Sequence, residues 1–131
     1  MIETIRTAHH NAEHSGRPFF AELEALTQGE PRQLLAQVAA YFRLPVIDMA
    51  GMLEKDPAFD ILPLARAQQR RCALLRDAHG LLGVLPDPYA QDIQLWIEAR
   101  AAAPVRWVLA LPAEIHAYLS KLEESVRSLD S

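Results

Sequence analysis

Cys72-Ala73-Leu74-Leu75-Arg76-Asp77-Ala78-His79-Gly80-Leu81-Leu82-Gly83-Val84-Leu85 is the stretch that decides the fold. Two short apolar runs, 72 to 76 and 81 to 85, flank the loop Asp77-Ala78-His79-Gly80. Short apolar runs around a loop that ends in glycine predict a β-hairpin. Neither run alternates cleanly, so both faces of the hairpin are expected to be covered. Asp87-Pro88 follows and reads as a helix start, with aspartate as the cap and proline at the first helical position. Ile93, Trp96, Ile97 and Arg100 then share one helical face. Beyond Pro104, residues 105 to 110 read as a further strand. Strand, helix and strand make a βαβ unit, whose crossover is right-handed as a rule.

Upstream, the first third reads as helices. Residues 3 to 14 hold few apolar side chains and predict a loose, mobile helix. Ser15-Gly16 is a break, and Pro18 fits the first turn of a helix running to about Gln28. Phe19, Leu23 and Leu26 form its apolar face, and Gly29 its stop. Pro31 restarts a helix to Phe42, with Leu34, Leu35, Val38 and Phe42 on the buried side. Composition changes at Leu44-Pro45. Val46-Ile47-Asp48-Met49 reads as a short strand, and Asp56-Pro57 as the start of a broken or two-part helix from about 57 to 70.

Downstream, Pro112 opens a last helix. Ile115, Leu119, Leu122, Val126 and Leu129 recur along it at alternating spacings of four and three. The stripe is expected simply to pack on the sheet, or alternatively to lead into a following domain or pair with another helix. The fold class is therefore α+β: an N-terminal helical subdomain, residues 1–44, followed by a small α/β sandwich with a mixed sheet, residues 45–131.

The chain has 131 residues, half of them hydrophobic, enough for a core. Its formal net charge of −4 disfavours nucleic acid as a partner. Cys72 is the sole cysteine, so no internal disulfide forms and a reducing, cytoplasmic setting is expected. The N-terminus lacks an apolar segment of signal type, and no apolar stretch approaches membrane-spanning length. Membrane association is expected only through a partner.

Few residues suit chemistry. His10 and His14 stand one helical turn apart, with His9 and Glu13 nearby, but a metal site still needs a third ligand and a second shell, and no HExxH pattern accompanies them. A solvated helix face accounts for them, and no metal or cofactor is expected. Arg66, Arg70, Arg71 and Arg76 form the one basic cluster, suited to a helix C-terminus or to an acidic partner. Asp87-Pro88 lacks the glycine-rich loop that phosphate binding needs. There is no P-loop, no serine at a nucleophile elbow, and Cys72 sits in an apolar run where thiols are inert. Trp96 and Trp107 read as core or subdomain-interface residues. The chain is not expected to be an enzyme.

The order of these segments resembles the N-terminal domain of type II secretion and type IV pilus assembly ATPases. Phe42-Arg43-Leu44-Pro45-Val46-Ile47-Asp48-Met49 is similar to the family's GLPxVDL stretch. Asp60-Ile61-Leu62-Pro63, the hairpin of residues 72 to 85, Leu85-Pro86-Asp87-Pro88-Tyr89 and Pro112-Ala113-Glu114-Ile115 follow in the family's order. The resemblance spans about residues 17 to 124. It implies a docking and regulatory module that binds the cytoplasmic part of an inner-membrane platform protein, with a motor core in the same chain. The docking surface is then expected on the N-terminal helices, with Arg17 and Phe20 as candidates, and at Arg66, Arg70 and Arg71.

One branch of that family binds cyclic di-GMP through a helical motif beginning RLG and ending LxxxLxxQ. Arg17 matches its arginine, and Leu34 and Val38 are the further candidates. Pro18-Phe19 replace the Leu-Gly, Tyr41 stands where the terminal glutamine belongs, and Arg43 replaces the usual glycine. There is room for one such motif rather than two. The alternatives to the docking reading are thus a cyclic di-GMP sensor or a related docking domain on another membrane enzyme, such as a glycosyltransferase.

Overall fold

The computed structural model describes residues 1–130, and side chains through Arg127. The hairpin forms with its apolar runs in register. Strands β2 (Ala73–Asp77) and β3 (Gly80–Leu85) pair antiparallel, from Ala73 opposite Val84 to Asp77 opposite Gly80. The turn is therefore only Ala78-His79, and Gly80 takes a φ of 109°, a region that glycine enters without strain. Strand β4 (Val105–Leu109) runs parallel to β3, and a two-residue edge strand, β1 (Asp56–Pro57), completes the order β1-β2-β3-β4. Along β3, successive side chains point to opposite faces. Leu81 and Leu85 on one face, and Leu82 and Val84 on the other, are all buried, which is why the run does not alternate.

Seven helices accompany the sheet among the described residues: α1 (Ile2–Ser15), α2 (Phe19–Leu26), α3 (Pro31–Phe42), α4 (Met49–Leu53), α5 (Leu64–Arg70), α6 (Gln91–Ala101) and α7 (Pro112–Asp130). The architecture is α+β, with the helices of the first third preceding the sheet. A single apolar core joins Phe19, Leu23, Leu35 and Val38 to Leu75, Val84, Leu109 and Ile115. No helix among the described residues is long and apolar enough to cross a membrane.

Four expectations fail locally. The helix over residues 3 to 14 is not loose: Ile5 and Ala8 are fully buried, and Gly16 closes α1 in the left-handed conformation. Two well-placed apolar residues suffice where the partner helix is as apolar as α2. Val46 to Met49 contributes only a single parallel bridge, Val46 to Leu109. Asp48 instead caps α4, its Oδ1 accepting from the Gly51 N–H at 2.8 Å. Asp56-Pro57 is sheet edge rather than helix start. Proline has no N–H to offer the ladder and is tolerated at such an edge. The 57 to 70 helix is accordingly reduced to α5. Asp87 makes a local turn, its Oδ1 accepting from the Tyr89 N–H at 2.8 Å, and α6 begins only at Gln91.

Along α7, Ile115 and Leu119 are buried, Leu122 is half-buried, and Val126 is exposed, so the stripe leaves the core within the helix. The side chain of Leu129 lies outside the described residues.

Candidate functional site

The expected site residues fall on two separate surfaces. The first lies where α1 turns into α2. Glu22, in the first turn of α2, is a buried carboxylate at 7% exposure. It accepts from Ser15 Oγ at 2.8 Å, and the Arg17 guanidinium lies 3.6 Å away. Arg17 therefore helps neutralise a charge that would be costly if left unpaired. Phe20 faces inward at 3% exposure, which removes it from any docking surface in this conformation. Leu34 and Val38 are likewise core residues, at 3% and 1%.

Beside Arg17 runs an open groove of about 330 Å³ between α1 and the start of α6. Its floor is aromatic. The His9 ring stacks on Tyr89 at 3.7 Å, and Phe19 and Phe42 meet Tyr89 edge-on at 5.5 and 5.0 Å. His9 also pairs with Glu13 at 2.8 Å. Burial pushes the Asp87 carboxyl and the Tyr89 hydroxyl above their ordinary values. No group of three His, Cys, Asp or Glu side chains among the described residues is placed to hold a metal ion.

The second surface is at the end of α5, where the structure divides the arginine cluster. Arg76 lies on β2 and forms a two-pronged pair with Asp60, at 3.1 and 3.0 Å, which lowers the Asp60 carboxyl's pKa. Arg71 ends α5 with a φ of 56° and lines a cavity of about 540 Å³ with Gln68, His116 and Leu119. Arg66 is exposed, and its Nη1 donates to Gln69 Oε1. Arg70 lies over the indole of Trp96, 4.9 Å from the ring centre. Arg100, from α6, lies over the same indole at 5.5 Å while its Nε donates to the Ile61 carbonyl. Sequence spacing placed Trp96 and Arg100 on one helical face, but their meeting with Arg70 depends on how α5 docks against α6. Trp96 is half-buried and packs against the edge of the core.

Burial pushes the Cys72 thiol up to about 11, so a nucleophilic thiolate is not available there.

No family model matches the sequence, and no curated protein matches it. The chain has the fold of an α+β module already seen in solved structures. One such structure is described as "Structure of MshE with cdg"; it matches with a TM-score of 0.65 at 21% identity, over 91% of this chain and 87% of that one. At that identity the likeness establishes the fold.

Proposed function

We propose that this chain is a non-catalytic docking and regulatory module of a secretion or pilus assembly ATPase. In this reading it binds the cytoplasmic part of an inner-membrane platform protein and couples it to a motor core in its own polypeptide. The observation that carries the reading is the fold shared with MshE, a secretion or pilus ATPase, across nine-tenths of the chain. The segment order supports it independently. Leu44-Pro45-Val46-Ile47, the hairpin and Pro112-Ala113-Glu114-Ile115 occur in the order that the family shows.

These segments have structural work that suits a fixed platform for docking. Glu114 Oε1 accepts from the Met49 N–H and from Arg32 Nη2, each at 3.1 Å. It thereby ties α7 to the segment after Pro45 and to α3. The Ile47 N–H donates to the Leu109 carbonyl and the Leu109 N–H to the Pro45 carbonyl, which fixes that segment along β4. Immunoblotting of source cells with antibody to this chain tests the reading. A band several-fold larger than 14.7 kDa that co-purifies with membranes is expected, and a soluble band at 14.7 kDa contradicts it.

A second reading rests on the "cdg" of the neighbouring structure, taken as cyclic di-GMP. Here Arg17 is paired with Glu22, and Leu34 and Val38 are enclosed in the core, so the residues matched to that ligand have other duties. Calorimetry with cyclic di-GMP separates the two, with no heat expected at high micromolar ligand.

A further inference from the structure

We infer that Arg70, Trp96 and Arg100, with Arg66 one turn along α5, form a binding surface for a short acidic segment of a partner protein. The inference rests on the docking reading only for which protein carries that segment.

The argument begins with charge that is left over. Among the described residues, six of the thirteen cationic side chains make ion pairs with acidic residues: Arg17, Arg32, Lys55, Arg76, Arg106 and Arg127. Arg66, Arg70 and Arg100 make none among the described residues, although acidic residues outnumber basic ones by 17 to 13. Arg70 and Arg100 share one indole, so their charges lie no more than about 10 Å apart, about the screening length at 0.1 M salt. Two exposed like charges held over one ring, neither of them ion-paired among the described residues, present a site to an anion from outside.

Geometry narrows the ligand. The indole orients both guanidinium groups before any ligand arrives, so less side-chain freedom is lost on binding. Arg66 and Arg70 stand four residues apart on α5, a spacing of about 5–6 Å between Cβ atoms, which suits neighbouring carboxylates. Nucleic acid fits poorly. Guanidinium groups already lie over the ring on which a base would stack. A long polyanion also meets the chain's net charge of −4, whereas a short acidic segment meets only the patch.

The two tryptophans allow a direct test with the whole chain. Trp107 Nε1 donates to Glu98 Oε1 at 3.0 Å on a different face of α6, so its signal serves as an internal reference. A hexaglutamate peptide titrated into the ¹⁵N-labelled chain is expected to move the Trp96 indole N–H resonance and to leave that of Trp107 in place. Affinity is expected to fall about tenfold in Arg70→Gln and to weaken steeply with added salt. Arg100→Lys keeps the charge without the planar group that lies over Trp96, and is expected to bind less tightly than the unchanged chain but more tightly than Arg100→Gln, which separates loss of charge from a folding defect. An unmoved Trp96 signal at millimolar peptide overturns the inference. So does equal binding of inorganic phosphate or of a single-stranded oligonucleotide. Peptide binding without capture of the platform domain supports the surface and overturns the docking reading. Platform binding that survives Arg70→Gln with Arg100→Gln keeps the docking reading and overturns this surface.

Discussion

The indole of Trp107 lies across Gly83 on the neighbouring strand, so close that a Cβ at Gly83 would collide with ring atoms Cζ3 and Cε3. Gly83 and Trp107 are opposite in the parallel ladder, and the ring is held in place by its bond to Glu98. A glycine inside an apolar strand therefore marks a close approach rather than a weak point. Gly83→Ala is expected to cost about 1–3 kcal/mol through overpacking. Urea unfolding checks it. Trp107→Leu in the same chain should return part of the loss, because the two positions share one contact. An unchanged midpoint for Gly83→Ala would contradict this packing.

Arg43 ends α3 in the left-handed region, with φ 57° and ψ 43°. The Leu44 N–H donates back to the Ala39 carbonyl at 2.9 Å, closing the helix in the manner glycine usually serves. This is the position at which the resembled family carries glycine. Arg43→Gly is expected to raise stability by about 1 kcal/mol, since the strain of a side chain there is relieved. Thermal melting of the two proteins decides it, and a lower melting temperature in the variant would count against the strain.

Ile5 is fully enclosed although it belongs to a mostly polar helix. Ile5→Ala is expected to cost about 2–5 kcal/mol, the range for truncating a buried aliphatic side chain. Chemical denaturation measures this. A cost near zero would mean that α1 is only loosely attached.

Asp77 is held well below the usual carboxylate range, first by Arg106 at 2.6 Å, then by the His79 N–H and by Lys55. Its pKa is lower folded than unfolded, so its contribution is present above the unfolded value of about 3.9 and is lost as pH falls below it. Arg76 shifts Asp60 in the same direction. The unfolding midpoint should therefore drop on acidification to about pH 3, with a shallower drop in Asp77→Asn. Parallel acid profiles for the two proteins would remove Asp77 from the account.

The hairpin, the strand after Pro104 and the last helix were legible because their signals are local: apolar runs, a glycine turn and helical spacing. Asp56-Pro57 and Asp87-Pro88 misled for a physical reason. The same dipeptide suits a helix cap, a proline-tolerant sheet edge or an aspartate turn, and tertiary pairing chooses among them. Val46 to Met49 was misread although Asp48 stands three residues before Gly51, the spacing of a capped helix. At the candidate sites, the arginines were visible but their fates were not. Arg76 finds Asp60 sixteen residues away, and Arg70 finds Trp96 on another helix. Phe20 looked available because an isolated helix does not reveal which of two adjacent phenylalanines the core takes. Here it takes both.

Calorimetry of this chain against the purified cytoplasmic domain of the platform protein from the same organism tests the central claim most directly. Saturable one-to-one binding at micromolar or tighter affinity is the predicted result. No heat at a hundredfold higher concentration, with both proteins shown to be folded, would contradict it.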